Sequence, residues 1–228
     1  MKKVVVLSLG GSLIIPDDAN ISFLKKFREV LEKNSKSYKF VVVCGGGSVA
    51  RKYIQGLKEA GKNEMFQAMA GISTTRMNAR FMTYLFGKDA NEGIPHDMKH
   101  VASLLAKNDF VFCGALRYAP NETSDGTAAK LAAYFMCPFI NLTNVQGLYN
   151  KNPSKFKDAK FIPKISWKAF HTMANKTKFQ PGQHFVLDQS ASEVIMDKKI
   201  TTYILGQDMK QLDNLLKNKK FKGTVIFG

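Results

Sequence analysis

The 228-residue chain lacks the marks of membrane, disulfide-rich and disordered proteins. No stretch approaches 18 uncharged apolar residues, and the first residues run straight into a strand-like segment without a small-residue cleavage site. Only three cysteines occur, Cys44, Cys113 and Cys137, each alone within an apolar run, so neither a disulfide framework nor a zinc site is predicted. With 45% hydrophobic residues the chain can bury a sizeable core. We therefore expect a cytoplasmic protein without a membrane segment, its cysteines reduced in the core.

Arginine is also scarce, although the net charge is +16. Only five of the 34 basic residues are arginines, set against 18 acidic residues. Lysine is spread over both halves of the chain, and no basic tract is interleaved with aromatic residues as in nucleic-acid modules. A solvated lysine surface that meets anionic substrates is therefore favoured over a nucleic-acid partner. A basic nucleic-acid or regulatory protein is kept as an alternative.

Short β-branched runs alternate with segments of helical period along the chain, which predicts an α/β fold with a mainly parallel sheet. The predicted strands cover 4–9, 40–44, 109–113 and 138–143, and then TTYIL and GTVIF near the end. The predicted helical segments cover 49–86, 97–106, the residues after Asp125, short stretches near Trp167 and Ser190, and MKQLDNLL. A loop, QPGQHF, precedes the helix near Ser190. Without an internal repeat or flexible linker, a single domain over residues 1–228 is expected.

Two glycine loops directly follow predicted strands. Gly10-Gly11-Ser12 follows VVVLSL, where glycine permits close backbone approach to an anion, but taken alone this loop is better explained as an ordinary strand-to-helix turn. Gly45-Gly46-Gly47 ends the next strand and opens a helix whose first turn carries Arg51, so N–H groups and a guanidinium could converge on one phosphate. Neither loop has the spacing of a P-loop or of a Rossmann dinucleotide site.

A third loop and two single carboxylates complete the candidate site. Thr143, Asn144 and Tyr149 follow a predicted buried strand, at the sheet edge where open α/β sheets bind ligands, although a polar turn is the alternative. Asp125 and Asp188 each open a predicted helix, so each is either a helix N-cap or part of the site. For Asp125 we predict capping by its carboxylate.

In their order along the chain, these segments resemble the amino acid kinase family and, within it, the archaeal-type uridylate (UMP) kinases. The resemblance spans nearly the whole sequence. The segments that carry it are SLGGSLIIP (8–16), CGGGSVARKYI (44–54), GISTTRMNA (71–79), TSD (123–125), LTNVQGLYNKNP (142–153), KISWKAF (164–170), QPGQHFVLDQSAS (180–192) and KKFKGTVI (219–226).

The resemblance implies a three-layer α/β/α sandwich that transfers the γ-phosphoryl group of ATP to UMP, with Mg²⁺ bridging phosphates. Residues 1–140 would form the acceptor-binding half and residues 141–228 the ATP-binding half. A hexamer built from dimers would be the assembled form.

The resemblance also implies roles for individual residues. Asp188 would be the catalytic residue beside the transferring group, and no residue is predicted to bind a metal directly. The residues implied for ATP binding are Gly10, Gly11, Ser12, Gly47, Arg51, Thr143, Asn144, Tyr149 and Asn152. Those implied for UMP binding are Gly45, Gly46, Thr123, Ser124 and Asp125, with Thr123 and Ser124 contacting phosphate. Arg76 and Asn78, in GISTTRMNA, are interpreted as subunit contacts.

The sequence departs from the family pattern at several positions. Ser8 stands where the wider family has lysine, and Ala68 where an acidic residue usually hydrogen-bonds the nucleoside. Gln146 and Asn152 replace two usual aspartates, and the acceptor loop around 115–122 is about two residues longer. One alternative is therefore a degenerate member that binds nucleotides without catalysis. Another is a kinase of a different acceptor, such as isopentenyl phosphate, although that subgroup typically has a histidine where this chain has Cys44.

Overall fold

The computed structural model describes residues 1–120, 122–176 and 186–228. Within these ranges the strands are β1 (Lys3–Leu9), β2 (Tyr38–Cys44), β3 (Phe110–Cys113), β4 (Phe139–Leu142), β5 (Leu148–Tyr149), β6 (Phe161–Ile162), β7 (Lys164–Ser166), β8 (Thr202–Leu205) and β9 (Thr224–Phe227). The α-helices are α1 (Gly11–Ile14), α2 (Ile21–Asn34), α3 (Gly47–Glu59), α4 (Glu64–Phe86), α5 (Met98–Lys107), α6 (Ser124–Tyr134), α7 (Trp167–Ala174), α8 (Gln189–Asp197) and α9 (Met209–Leu216). The strands and helices predicted from the sequence are confirmed, except that the helical segment over 49–86 is two helices.

Seven of the described strands form one sheet, in the order β3-β2-β1-β4-β8-β9-β7. Every pairing in it is parallel except that of β8 with β9. Strands β5 and β6 form a separate antiparallel pair. Leu9 lies beside both Cys44 and Leu142, so β1, β2 and β4 end at the same edge. The loops after these strands are thereby brought together.

The sheet is covered by helices on both faces, which confirms the predicted three-layer α/β/α architecture. Side chains alternate along β1: Val5 and Leu7 pack into one core with α2, α4 and α9, and Val6 packs into the other with α5, α6 and α8. Strands covered on both faces read as continuous apolar runs, which is the pattern of the sequence.

The three cysteines are free thiols. Cys44 and Cys113 are buried, and burial raises the pKa of both, that of Cys113 to about 12. Cys137 is only half-buried and packs at the edge of the second core, so the prediction of a core position is fully confirmed for the other two cysteines only. Among the described helices, none is long and apolar enough to cross a membrane.

Candidate active site

A cavity of about 810 Å³ opens at the carboxyl edge of the central strands. It is bounded by the loops after β1, β2, β3 and β4 and by the facing sides of α3 and α4. All of the predicted ATP- and UMP-binding residues line it, from Gly10 to Asn152. Asp188, the predicted catalytic residue, is not among the lining residues. The sequence therefore located the cavity, although it did not resolve the position of this carboxylate.

The two glycine loops lie against each other, backbone to backbone. A Cβ atom on Gly11 would lie 2.1 Å from the Gly47 nitrogen, and one on Gly45 would lie 2.6 Å from the Gly11 nitrogen. Gly47 also has φ +65°, a conformation that favours glycine. The glycines are thus required by the packing of the two loops, and this packing presents main-chain groups to the cavity. Helix α1 begins at Gly11, so the first loop is also the strand-to-helix turn that the sequence allowed.

Helix α4 fixes both the second glycine loop and the acceptor loop. The Asn78 amide donates a hydrogen bond to the Gly45 carbonyl at 2.7 Å. The Arg76 guanidinium donates to the carbonyls of Ala115 at 3.2 Å and Leu116 at 2.6 Å. The Thr75 hydroxyl oxygen accepts from the Ala115 N–H at 2.9 Å. Arg76 and Asn78 therefore bond within the chain. Asn78 is buried, and a subunit contact by Arg76 stays a prediction.

Asp125 is one of the carboxylates that line the cavity. Its Oδ1 accepts a hydrogen bond of 2.6 Å from the Ser8 hydroxyl. Burial, and next the nearby charge of Asp188, raise the pKa of Asp125 to about 7, against the lowering effect of the Ser8 bond. The prediction that Asp125 caps helix α6 is wrong. The N-cap is Thr123, whose hydroxyl oxygen accepts from the Asp125 N–H at 3.2 Å.

Asp188 lies behind Thr123 and is only 2% exposed. It is the N-cap of α8, since its Oδ1 accepts from the Ala191 N–H at 2.6 Å. Its Oδ2 accepts from the Thr123 N–H at 2.8 Å and from the Thr123 hydroxyl. Asp188 therefore joins the start of α8 to the start of α6. Both of its oxygens are engaged in holding the cavity wall that carries Asp125.

The charge around the cavity suits an anionic ligand. The lining side chains include five cations: Arg51, Arg117, Lys151, Lys155 and Lys176. Three carboxylates line it as well, Glu64, Glu122 and Asp125. Of these, Glu122 is paired with Lys130, and Asp125 accepts from Ser8. Among the cations, Lys151 is paired with Asp158. The excess of cations supports the sequence prediction of anionic substrates.

The third loop supplies the other end of the cavity. The Thr143 N–H donates to the Leu205 carbonyl at 2.9 Å, which ties the loop to β8. Tyr149 in β5 packs edge-on against Phe161, with ring centroids 5.5 Å apart. Asn152 accepts from the Ser154 N–H at 2.9 Å, so its amide closes its own turn. The predicted loop QPGQHF lies within residues 177–185, which are outside the described residues. Asn121 of the acceptor loop is also outside the described residues.

Some site residues were missed from the sequence. Arg117 and Lys155 line the cavity, and neither was singled out from the sequence, although Arg117 lies in the acceptor loop after β3. Asn141 also lines the cavity, and its amide donates to the Val186 carbonyl at 2.5 Å. Its position in β4, directly beside Ser8 of β1, is the signal that could have found it, because neighbouring polar residues in buried strands are unusual.

Comparison with known proteins explains this arrangement. The model of the amino acid kinase family matches residues 3–206. The chain belongs to the amino acid kinase family. A uridylate kinase of Thermococcus kodakarensis is 34% identical over 224 residues, covering 97% of this chain and 98% of that protein. A uridylate kinase of Thermoplasma volcanium is 33% identical over 227 residues, covering 99% of this chain and 98% of that protein.

Solved structures agree with the family assignment. The crystal structure of uridylate kinase from Archaeoglobus fulgidus superposes with a TM-score of 0.84 at 31% identity, covering 99% of this chain and 100% of that one. The UMP kinase of Ureaplasma parvum superposes with a TM-score of 0.80 at 19% identity, which is evidence for the fold alone. The resemblance drawn from the sequence motifs is thus confirmed at the level of the family and of its uridylate kinase members.

Proposed function

We propose that this protein transfers the γ-phosphoryl group of ATP to UMP, giving UDP and ADP, in pyrimidine nucleotide synthesis. The observation that carries the proposal is a cation-rich cavity at the carboxyl edge of the sheet, walled by two interlocked glycine loops. Relatives named uridylate kinase match the chain over 97–99% of its length, which supports the choice of acceptor.

The two halves of the chain take the two substrates in this proposal. Residues 1–140 hold UMP, through Gly45, Gly46 and the segment Thr123 to Asp125. Residues 141–228 hold ATP through Thr143, Asn144, Tyr149 and Asn152, together with the phosphate contacts of Gly10, Gly11, Ser12, Gly47 and Arg51 from the first half. Phosphoryl transfer needs little covalent chemistry from a protein, so positioning and stabilisation of the phosphate oxygens by N–H groups and cations suffice.

Magnesium belongs to the same proposal, because Mg²⁺ binds phosphate oxygens together with one or two carboxylates and keeps several waters. The residues present fit that chemistry, since Asp125 presents a carboxylate to the cavity. No cluster of three or more His, Cys, Asp or Glu side chains suited to a metal occurs in the part of the chain that is described. The ATP phosphates and Asp125 would therefore hold the ion, which neutralises charge on the phosphates.

Asp188 is proposed as a positioning residue. Because its oxygens bind Thr123 and the start of α8, it acts on the reaction by fixing Thr123 and by its charge near Asp125. This role differs from the direct contact expected from the sequence. It explains how a carboxylate outside the cavity lining could still affect turnover.

Self-association is part of the proposal, with the hexamer as its specific form. The exposed side chains Phe66, Met69, Met77 and Tyr84 recur at helical spacing on one side of α4. An apolar stripe of this kind is suited to burial against a second copy. Light scattering should give a mass several times 25.4 kDa, and the mass of one chain would contradict the expectation.

We also propose a cytoplasmic location for this protein, where ATP and UMP are available.

A coupled assay of ADP release tests the function. ATP and Mg²⁺ are supplied with UMP, CMP, isopentenyl phosphate or an amino acid as acceptor. UMP should give the highest kcat/KM, and Arg51→Ala should reduce ATP use far more than it reduces thermal stability. Preference for isopentenyl phosphate would contradict the acceptor assignment. Nucleotide binding without turnover would favour the degenerate alternative suggested by Ala68, Gln146 and Asn152.

A further inference from the structure

We propose that the acceptor site does not read the ribose 2′-hydroxyl, so that the protein phosphorylates 2′-deoxyuridine monophosphate (dUMP) nearly as well as UMP. This inference rests on the proposed function, because it concerns the same acceptor. It adds a second substrate class, the 2′-deoxynucleoside monophosphates.

The groove between α3 and α4 is the part of the cavity that continues from the second glycine loop. Ala50, Arg51 and Ile54 line it from α3, and Ile72 and Thr75 are among the residues that line it from α4. From Gly47 to Ile54 the helix rises about 10 Å. Gly46, one of the residues proposed to hold UMP, opens onto this groove, since a Cβ atom on it would lie 2.4 Å from the Ala50 side chain and 3.6 Å from the Gly71 carbonyl oxygen. An acceptor phosphate held at Gly45 and Gly46 therefore places the attached sugar along this groove.

Among the described residues, those that line the groove wall beyond Ala50 have no side chain that can hydrogen-bond a hydroxyl group. These residues are Ile54, Ala68, Gly71 and Ile72. The two helices touch here, since a Cβ atom on Gly71 would lie 3.4 Å from the Ile54 side chain. The main-chain groups of Ile54, Gly71 and Ile72 lie inside helices, where the helical bonds use them.

The nearest polar side chains on this face of α4 do not replace that missing group. The Thr75 hydroxyl is already engaged, accepting from Ala115 and donating to the Ile72 carbonyl at 2.7 Å. Glu64 lies one helical turn before Ala68, and helical side chains lean toward the helix N-terminus. Its carboxylate therefore lies farther toward the start of α4, away from the wall at Ala68.

An apolar wall has a defined consequence for selectivity. A site that hydrogen-bonds a substrate hydroxyl rejects the analogue lacking it by about 10⁴- to 10⁵-fold, because buried polar groups are then left unpaired. Where no protein group meets the hydroxyl, that penalty is absent. We expect kcat/KM for UMP to exceed that for dUMP by less than tenfold.

The test compares UMP with dUMP as acceptors for the unaltered full chain at saturating ATP and Mg²⁺. A ratio of kcat/KM below ten supports the inference. A ratio of ten or more overturns it while leaving the proposed function intact. If neither nucleotide is phosphorylated, the proposed function itself fails, and the inference fails with it.

A variant pair tests the position of the wall. Ala68→Asp should raise the preference for UMP over dUMP at least tenfold, because it adds an acceptor for the sugar hydroxyl. Ala70→Asp is the matched control, since Ala70 lies in the same helix but does not line the cavity. Its ratio should stay at that of the unaltered chain. An equal UMP-to-dUMP ratio of kcat/KM in the two variants would overturn the assignment of the wall. If Ala68→Asp does not fold, the ratio measured for the unaltered chain decides the inference.

Discussion

Asp125→Asn should stabilise the protein increasingly as the pH rises from 5 to 8. The pKa of Asp125 is raised from 3.8 to about 7. The native state therefore holds this proton more tightly than the unfolded chain, and the free energy of unfolding falls as pH rises between about 4 and 7. Three pKa units correspond to about 4 kcal/mol as an upper limit, about two-thirds of it falling between pH 5 and 8.

Asp125 lines an open cavity and is only partly buried as a residue, so solvent screening reduces that limit. We expect the advantage of Asp125→Asn to grow by about 1–2 kcal/mol from pH 5 to pH 8. Asparagine keeps an oxygen for the Ser8 hydroxyl, so the change isolates the charge. The same variant should lose kinase activity, because the Asp125 carboxylate that lowers stability when ionised is also the group proposed to hold Mg²⁺ with the ATP phosphates.

Urea unfolding at several pH values measures this effect. Asp18→Asn removes one exposed carboxylate in the loop after α1 and controls for net charge. The curves of stability against pH for the unaltered chain and Asp18→Asn should run parallel, and Asp125→Asn should diverge above them. Parallel curves for all three proteins would refute the account of Asp125.

Three further substitutions probe the site. Asp188→Asn should lower the free energy of unfolding, measured in urea, by about 1–3 kcal/mol, because the new amide N–H group would face the Thr123 N–H and leave it without an acceptor. A loss of only about a few tenths of a kcal/mol would contradict that contact. Arg76→Ala should raise KM for UMP at least tenfold and change KM for ATP by less than twofold, because Arg76 holds the acceptor loop through two carbonyls. Arg76→Lys should restore part of the affinity for UMP. Equal changes in both KM values would argue against this role of Arg76. Gly11→Ala should abolish activity, whereas Gly56→Ala, with nothing within 4 Å, should be tolerated in the same assay; an active Gly11→Ala would refute the packing of the loops.

The fold class could be predicted because its signals are local. Strands β1 to β4 are covered on both faces and read as continuous apolar runs. The break between α3 and α4 was missed, although Gly61, with φ +69°, and the N-cap Asn63 mark it. Strands β5 to β7 have two or three residues each, too few for any periodicity, and they form only because the tertiary structure brings their partners close.

The site was predictable only where one segment carries it. The glycine loops follow strands directly, so their place at the sheet edge follows from the sequence. The contacts that define the carboxylates are remote: Ser8 and Asp125 are 117 residues apart, and Thr123 and Asp188 are 65 apart. No local pattern distinguishes an aspartate that faces the cavity from one that lies behind it. For that reason, the sequence alone predicted a capping role for Asp125, which lines the cavity, and a site role for Asp188, which caps α8.

The central claim is phosphoryl transfer from ATP to UMP, and phosphorus NMR tests it most directly. The unaltered chain is incubated with ATP, UMP and Mg²⁺, and the phosphorus signals are followed with time. We predict that UMP is consumed as the two phosphorus signals of UDP appear, with one ADP formed for each UDP. Formation of ADP without UDP, or an unchanged UMP signal with bound nucleotide, would contradict the account.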